Sequence, residues 1–101
     1  MGHRGESDMD VYSQIVEQII KHQESIIGPV AIEQAQHVHN LKLDWDKHHV
    51  TVSGNGTKVI DDLVEQYKKI FGRVSVEVCR EAASSLIDQL PQNELPKTLV
   101  A

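Results

Sequence analysis

The chain holds a single cysteine, Cys79, among its 101 residues, so it has no internal partner for a disulfide. That excludes a disulfide-stapled scaffold and fits a reducing compartment. Aromatic residues are scarce, with one Trp, two Tyr and one Phe, which leaves a mostly aliphatic core and few platforms for stacking single-stranded nucleic acid. Basic residues are in deficit: ten Lys and Arg stand against fifteen Asp and Glu, a net charge of -5. A field of that sign repels phosphate backbones and anionic lipid surfaces, so neither nucleic acid nor a membrane is an expected partner. No apolar run approaches the ~20 residues of a membrane span. The first residues, Met1 to Glu6, contain no apolar h-region, so a cytoplasmic chain is expected. Met1-Gly2 resembles a myristoylation signal, but Glu6 stands where that pattern requires Ser or Thr.

What is present is helical periodicity. A hydrophobic content of 40% suffices for one modest core, and a single domain is expected over residues 8–90, flanked by flexible termini at 1–7 and 91–101. Ser7 or Asp8 is placed to cap a first helix, in which Tyr12, Ile15, Val16, Ile19, Ile20, Gln23, Ile26 and Ile27 recur at spacings of three and four. Gly28-Pro29 ends it, because glycine accepts positive φ at the C′ position and proline suits the start of the next helix. That second helix is expected to run from Pro29 to Val38.

Alternation then replaces helical spacing. Leu41, Leu43 and Trp45, then Val50 and Val52, fall on one face of two strands, a β-hairpin over 41–53. A pairing of 45 with 50 and of 43 with 52 leaves Asp46 to His49 as its loop. Gly54-Asn55-Gly56 breaks the second strand, and Thr57 is placed to cap a third helix with Val59, Ile60, Leu63, Val64, Tyr67, Ile70 and Phe71 on its apolar face. Gly72 closes that helix, and a fourth is expected from Ser75 to Leu90, stopped by Pro91. The fold class is therefore mainly α with a small β-hairpin, in the order α-α-β-β-α-α.

An offset of 44 residues superimposes the two halves. Ile15-Val16-x-x-Ile19-Ile20 falls on Val59-Ile60-x-x-Leu63-Val64, and Ile26-Ile27-Gly28-Pro29-Val30 falls on Ile70-Phe71-Gly72-Arg73-Val74. The expectation is a duplicated helix-Gly-helix unit, repeat 1 over 13–38 and repeat 2 over 57–82, with the structural turns at Gly28, Pro29 and Gly72 and the hairpin as an insert. A helical hairpin cannot cover its own apolar stripe, so each copy supplies the partner of the other. The Gly28-Pro29-Val30-Ala31 run, within Ile26 to His37, resembles the G-P-[IV]-A turn of small helical accessory modules of bacterial signalling proteins. The resemblance implies a regulatory domain without catalysis of its own; the second copy departs from it at Arg73 and Ser75.

Chemistry-bearing residues each have a plain structural explanation. His37, His39, His48 and His49, with Asp44 and Asp46, are ligand types for a transition metal, but the hairpin separates His39 from His48 by roughly 20 Å at ~3.3 Å per residue. The Ser53 to Lys58 turn offers backbone N–H groups to an anion, yet lacks the Gly-Lys-Ser/Thr order of a phosphate loop. Glu33 and Glu77 occupy matching positions but suit a helix start, and Cys79 falls on an apolar face as a small core residue. No catalytic, cofactor-binding or metal residue is assigned. The expected function is a non-enzymatic protein–protein interaction or regulatory domain, self-associating as a homodimer through Leu41, Leu43, Trp45, Val50 and Val52, the equal alternative being that this face packs on the chain's own helices. The alternatives are a small-molecule or anion-binding sensor domain using the Gly54 turn and a metal-dependent enzyme using the histidines.

Overall fold

Asp10 opens the first helix of the computed structural model, which describes residues 10–100. Its elements are α1 (Val11–Ile27), α2 (Val30–Ala35), β1 (Leu41–Asp44), β2 (His49–Val52), α3 (Gly56–Phe71), α4 (Arg73–Ala83) and α5 (Lys97–Val100). The order α-α-β-β-α-α holds, with α5 added. The Asp10 carboxylate accepts the Ser13 N–H at 2.9 Å, satisfying one of the amides that a helix start leaves open. Ser7 and Asp8, expected as caps, lie outside the described residues, and the cap is Asp10 instead. At α3 the cap is Asn55, whose side chain accepts from the Lys58 N–H at 3.2 Å, rather than Thr57. Gly56 occupies the first helical position against the Tyr12 ring, where an added Cβ would stand 2.5 Å from ring carbons.

The two glycine turns are alike. Gly28 has φ 78 and ψ -160, Gly72 φ 81 and ψ -167, and each donates its N–H four residues back, to Glu24 O and Lys68 O. Positive φ was expected at both positions. The ψ values add that this is the mirror of the extended region, essentially closed to L side chains, rather than the left-handed helical cap. In the next turn Ala31 N–H returns to Gly28 O and Ser75 N–H to Gly72 O, at 3.0 and 3.1 Å.

Between the halves, one hydrogen bond answers another. Gln23 Nε2 donates to Ser75 O at 2.9 Å, and Tyr67 hydroxyl donates to Ala31 O at 2.7 Å. Adding 44 to Gln23 and subtracting it from Ser75 converts the first pair into the second. Each longer helix thus reaches the start of the shorter helix of the other half, and both glycine turns lie at one end of the molecule. The core follows the same correspondence: Ile15, Val16, Ile19 and Ile20 are buried, as are Val59, Ile60, Leu63 and Val64. Gln23, which interrupts the apolar series in the sequence, is itself 1% exposed, its amide satisfied by Ser75 O and by Cys79 Sγ at 3.4 Å. The halves differ in their second helices. α2 stops at Ala35, short of the expected Val38, whereas α4 continues to Ala83 and then gives way to a turn over 84–86 and the 3-10 segment Ile87–Gln89 instead of running to Leu90.

The hairpin forms in a different register from the expected one. Leu41 pairs with Val52 and Leu43 with Val50, so the pairing of 43 with 52 and of 45 with 50 is replaced by one shifted two residues. Trp45–Lys47 turns as a 3-10 segment and His48 takes φ 52, making Trp45 to His48 the loop. The indole favours this register: from the loop, Trp45 Nε1 donates to the Glu24 carboxylate on α1 at 3.1 Å and its ring lies 4.9 Å from that of His48. The apolar side chains keep one face in either register.

Residues 91–100, expected as part of a flexible terminus, are docked. Pro96 is fully buried and Leu99 is 8% exposed. The Asp61 carboxylate accepts from Thr98 N–H at 3.0 Å and from its hydroxyl at 2.6 Å, and Thr57 hydroxyl donates to Glu94 O at 2.6 Å. The Tyr12 hydroxyl also donates to the Glu94 carboxylate, which with partial burial raises the phenol above its usual range. The physical reason is that Leu95, Pro96 and Leu99 cover apolar surface that α3 and α4 leave open. Residues 1–7 and Ala101 lie outside the described residues.

Candidate interaction surfaces

Leu41 and Val50 are 7% and 1% exposed and belong to the main core, while Leu43, Trp45 and Val52 are partly buried and pack against it. The hairpin lies on α1, chiefly through β2. The five residues expected to mediate self-association therefore cover the chain's own helices.

Apolar side chains do stand in solvent at the glycine-turn end. Ile26 is 62% exposed, Ile70 46% and Val74 74%. Ile26 and Ile70 are counterparts in the 44-residue offset, each lying about 20° around its helix from Ile15 or Val59 at 3.6 residues per turn. By angle both belong to the buried stripe; they are exposed because they sit one turn past Gln23 and Tyr67, where no element covers them. Spacing alone predicts their burial, so the sequence gives no signal of the exposure. Around the second turn they stand among cations: Lys68, Lys69 and Arg73 are all exposed. The first turn has no basic residue in the last turn of its helix.

A groove of about 600 Å³ opens where α3, α4 and α5 meet. Lys68 from α3, Arg73 and Arg80 from α4, and Lys97 from α5 line it, with Glu65 and Glu77. Arg80 is held in place, its Nη1 donating to Glu77 at 3.1 Å and its Nε to Thr98 O at 3.4 Å. The side chains of Lys68, Arg73 and Lys97 have no ion-pair or hydrogen-bond partner among the described residues. Sequence reasoning missed this groove because its cations are far apart in the chain and its third wall is α5, which periodicity does not reveal.

The remaining candidates have local roles. In the Gly54 turn, the Asn55 side chain caps α3, Thr57 binds Glu94 O, and the adjoining cavity is lined by Asp10 and Glu94, a poor setting for an anion. His37 and His39 line a shallow cavity between α2 and α3 with Asp62, Lys68 and Lys69, whereas His48 and His49 lie at the hairpin tip. Among the described residues no three His, Cys, Asp or Glu side chains stand close enough to hold a metal ion. Glu33 and Glu77 are exposed, and Glu77 pairs with Arg80. Cys79 is fully buried, and burial pushes its thiol up to about 11, the reverse of what a nucleophile needs. Among the described residues no helix is long and apolar enough to cross a membrane. Compared with known protein families, curated proteins and solved structures, the chain matches none.

Proposed function

We propose that this chain is a non-catalytic, cytoplasmic protein-interaction domain of regulatory type, built from a duplicated helical hairpin, and that it binds its partner through the glycine-turn end. The observation that carries the reading is the exposure of Ile26 and Ile70 on otherwise buried stripes, with Val74 exposed beside the second turn. Apolar side chains gathered on a small domain mark a surface that another molecule covers. The duplication is supported by the reciprocal Gln23–Ser75 and Tyr67–Ala31 bonds and by the matching Gly28 and Gly72 geometry. The resemblance of Gly28 to Ala31 to the turn of bacterial signalling accessory modules agrees with a regulatory role.

A homodimer joined through the hairpin face is not favoured, because Leu41 and Val50 are in the core and Leu43, Trp45 and Val52 pack against it. Three aliphatic side chains also fall short of the ~1,200–2,000 Å² that a stable interface buries, which favours a different protein as partner and a transient contact. The test is the size of the tagged chain after chemical crosslinking in the cell, which traps a transient contact, wild type against the triple variant Ile26→Ser, Ile70→Ser, Val74→Ser. Wild type should elute in a larger assembly, and the variant, with unchanged circular dichroism, near its own 11.3 kDa. A wild type eluting near that mass, or a folded variant still in the assembly, would overturn the reading.

A further inference from the structure

The groove between α3, α4 and α5 carries charge of the wrong sign for its chain. Four of the ten Lys and Arg residues line it against two carboxylates, in a protein of net charge -5. Three of those cations, Lys68, Arg73 and Lys97, are exposed and unpaired among the described residues, although acidic side chains outnumber basic ones in the chain. We infer that this groove binds a carboxylate-rich peptide segment of a partner protein, an inference that rests on the interaction reading and names the chemistry of the partner. Charge complementarity selects the sign of the ligand: an acidic segment meets Lys68, Arg73 and Lys97 at once, with no ion pair among the described residues to break first.

The dimensions and the interspersed acids select a peptide over a compact anion. A volume of about 600 Å³ is far larger than a single phosphate needs and falls within the usual range of ligand sites. Glu65 and Glu77 repel a compact polyanion such as polyphosphate but leave room for side-chain carboxylates distributed along an extended peptide. Val76, partly buried on the groove wall, gives apolar contact to the stems of such side chains. Beyond Glu65 and Lys97 an adjoining cleft is lined by Asp61 and Asp62, which limits the favourable stretch to a short acidic motif. Arg80, tied to Thr98 O, joins two walls of the site, so the groove exists only with α5 docked. Arg73 directly follows the Gly72 turn and adjoins Val74, so one partner segment can run from the exposed apolar end into the groove.

The experiment titrates fluorescein-labelled hexaglutamate into the full chain, with labelled hexaserine and inorganic phosphate as comparisons, read by anisotropy and by amide chemical shifts. Hexaglutamate should bind with shifts confined to residues 65–80 and 96–99, and weaken on raising the salt, since exposed charges are screened. Arg73→Glu with Lys97→Glu should weaken it at least 10-fold while circular dichroism is unchanged; Lys21→Glu with Lys47→Glu, outside the groove, should not. Absence of binding at millimolar peptide, equal binding by the groove variant, or equal competition by phosphate would each overturn the inference. The Ile26, Ile70 and Val74 serine variant should still bind hexaglutamate. If the native assembly forms but hexaglutamate does not bind, the groove inference fails alone; if the peptide binds and no assembly forms, the interaction reading fails alone.

Discussion

Replacing Gly28 or Gly72 by L-alanine should destabilise the fold through the backbone alone. An added Cβ at either position meets no atom within 4 Å, so crowding contributes nothing. What remains is conformation: φ 78 and 81 with ψ -160 and -167 lie where non-glycine residues are strained by about 1–3 kcal/mol. Alanine also restricts the unfolded chain, which offsets ~0.4–1 kcal/mol of that strain. The expected net loss is about 1–2 kcal/mol at each site, equal within error, and near the sum in the double variant if the two turns act independently. Urea denaturation followed by circular dichroism measures it. D-alanine, introduced by chemical ligation, reverses the argument, because positive φ with extended ψ is its preferred region; it should leave stability unchanged or raise it. If L- and D-alanine prove equally harmful, the cost is not backbone conformation and the reasoning is refuted. Gly56→Ala is the contrast: its Cβ would strike the Tyr12 ring at 2.5 Å, so its loss should exceed that of either turn and be relieved by Tyr12→Ala.

Other perturbations address the remaining contacts. Tyr67→Phe removes the bond to Ala31 O and should cost ~1 kcal/mol by urea titration, while Gln23→Ala should cost more because it also empties a buried site. Asp61→Ala frees both Thr98 bonds, and amide exchange should show residues 96–99 opening before the helices; protection unchanged from wild type would contradict the docking. Burial of Cys79 raises its folded pKa to about 11 from the ordinary thiol value of 9.0, so the native state retains a proton that the unfolded state loses between those values, and its contribution must fall as pH rises through that window. Cys79→Ala, compared with wild type from pH 8 to 11, should flatten that part of the decline, and the native thiol should be slow to react with disulfide reagents.

Helix existence was legible because the stripes at Ile15 to Ile20 and Val59 to Val64 keep strict three-four spacing, and the turns because only glycine suits positive φ after an apolar pair. The hairpin was legible as two alternating runs, but its register was not. Both pairings keep Leu41, Leu43, Val50 and Val52 on one face, and the choice is made by Trp45, whose partner Glu24 lies on α1 and far away in sequence. The caps failed for a related reason: Asp10 and Asn55 compete with cap residues two or three positions away, Ser7 and Asp8 for the first and Thr57 for the second, and the geometry of one turn decides. The docked segment 91–100 carries too few apolar residues for a period, and its anchor, Asp61, resembles any surface acid on an amphipathic helix. The groove inherits that blindness, since Lys97 reaches Lys68 and Arg73 only once α5 is placed.

Position-specific photo-crosslinking in the source cell tests most directly whether the glycine-turn end is where this domain meets its partner. A photoactivatable residue at 26, 70 or 74 should give one common adduct with another protein, and the same residue at 51, on the exposed face of the hairpin, or at 33 should give none. Adducts from 51 alone, or equal labelling at all five positions, would contradict the account.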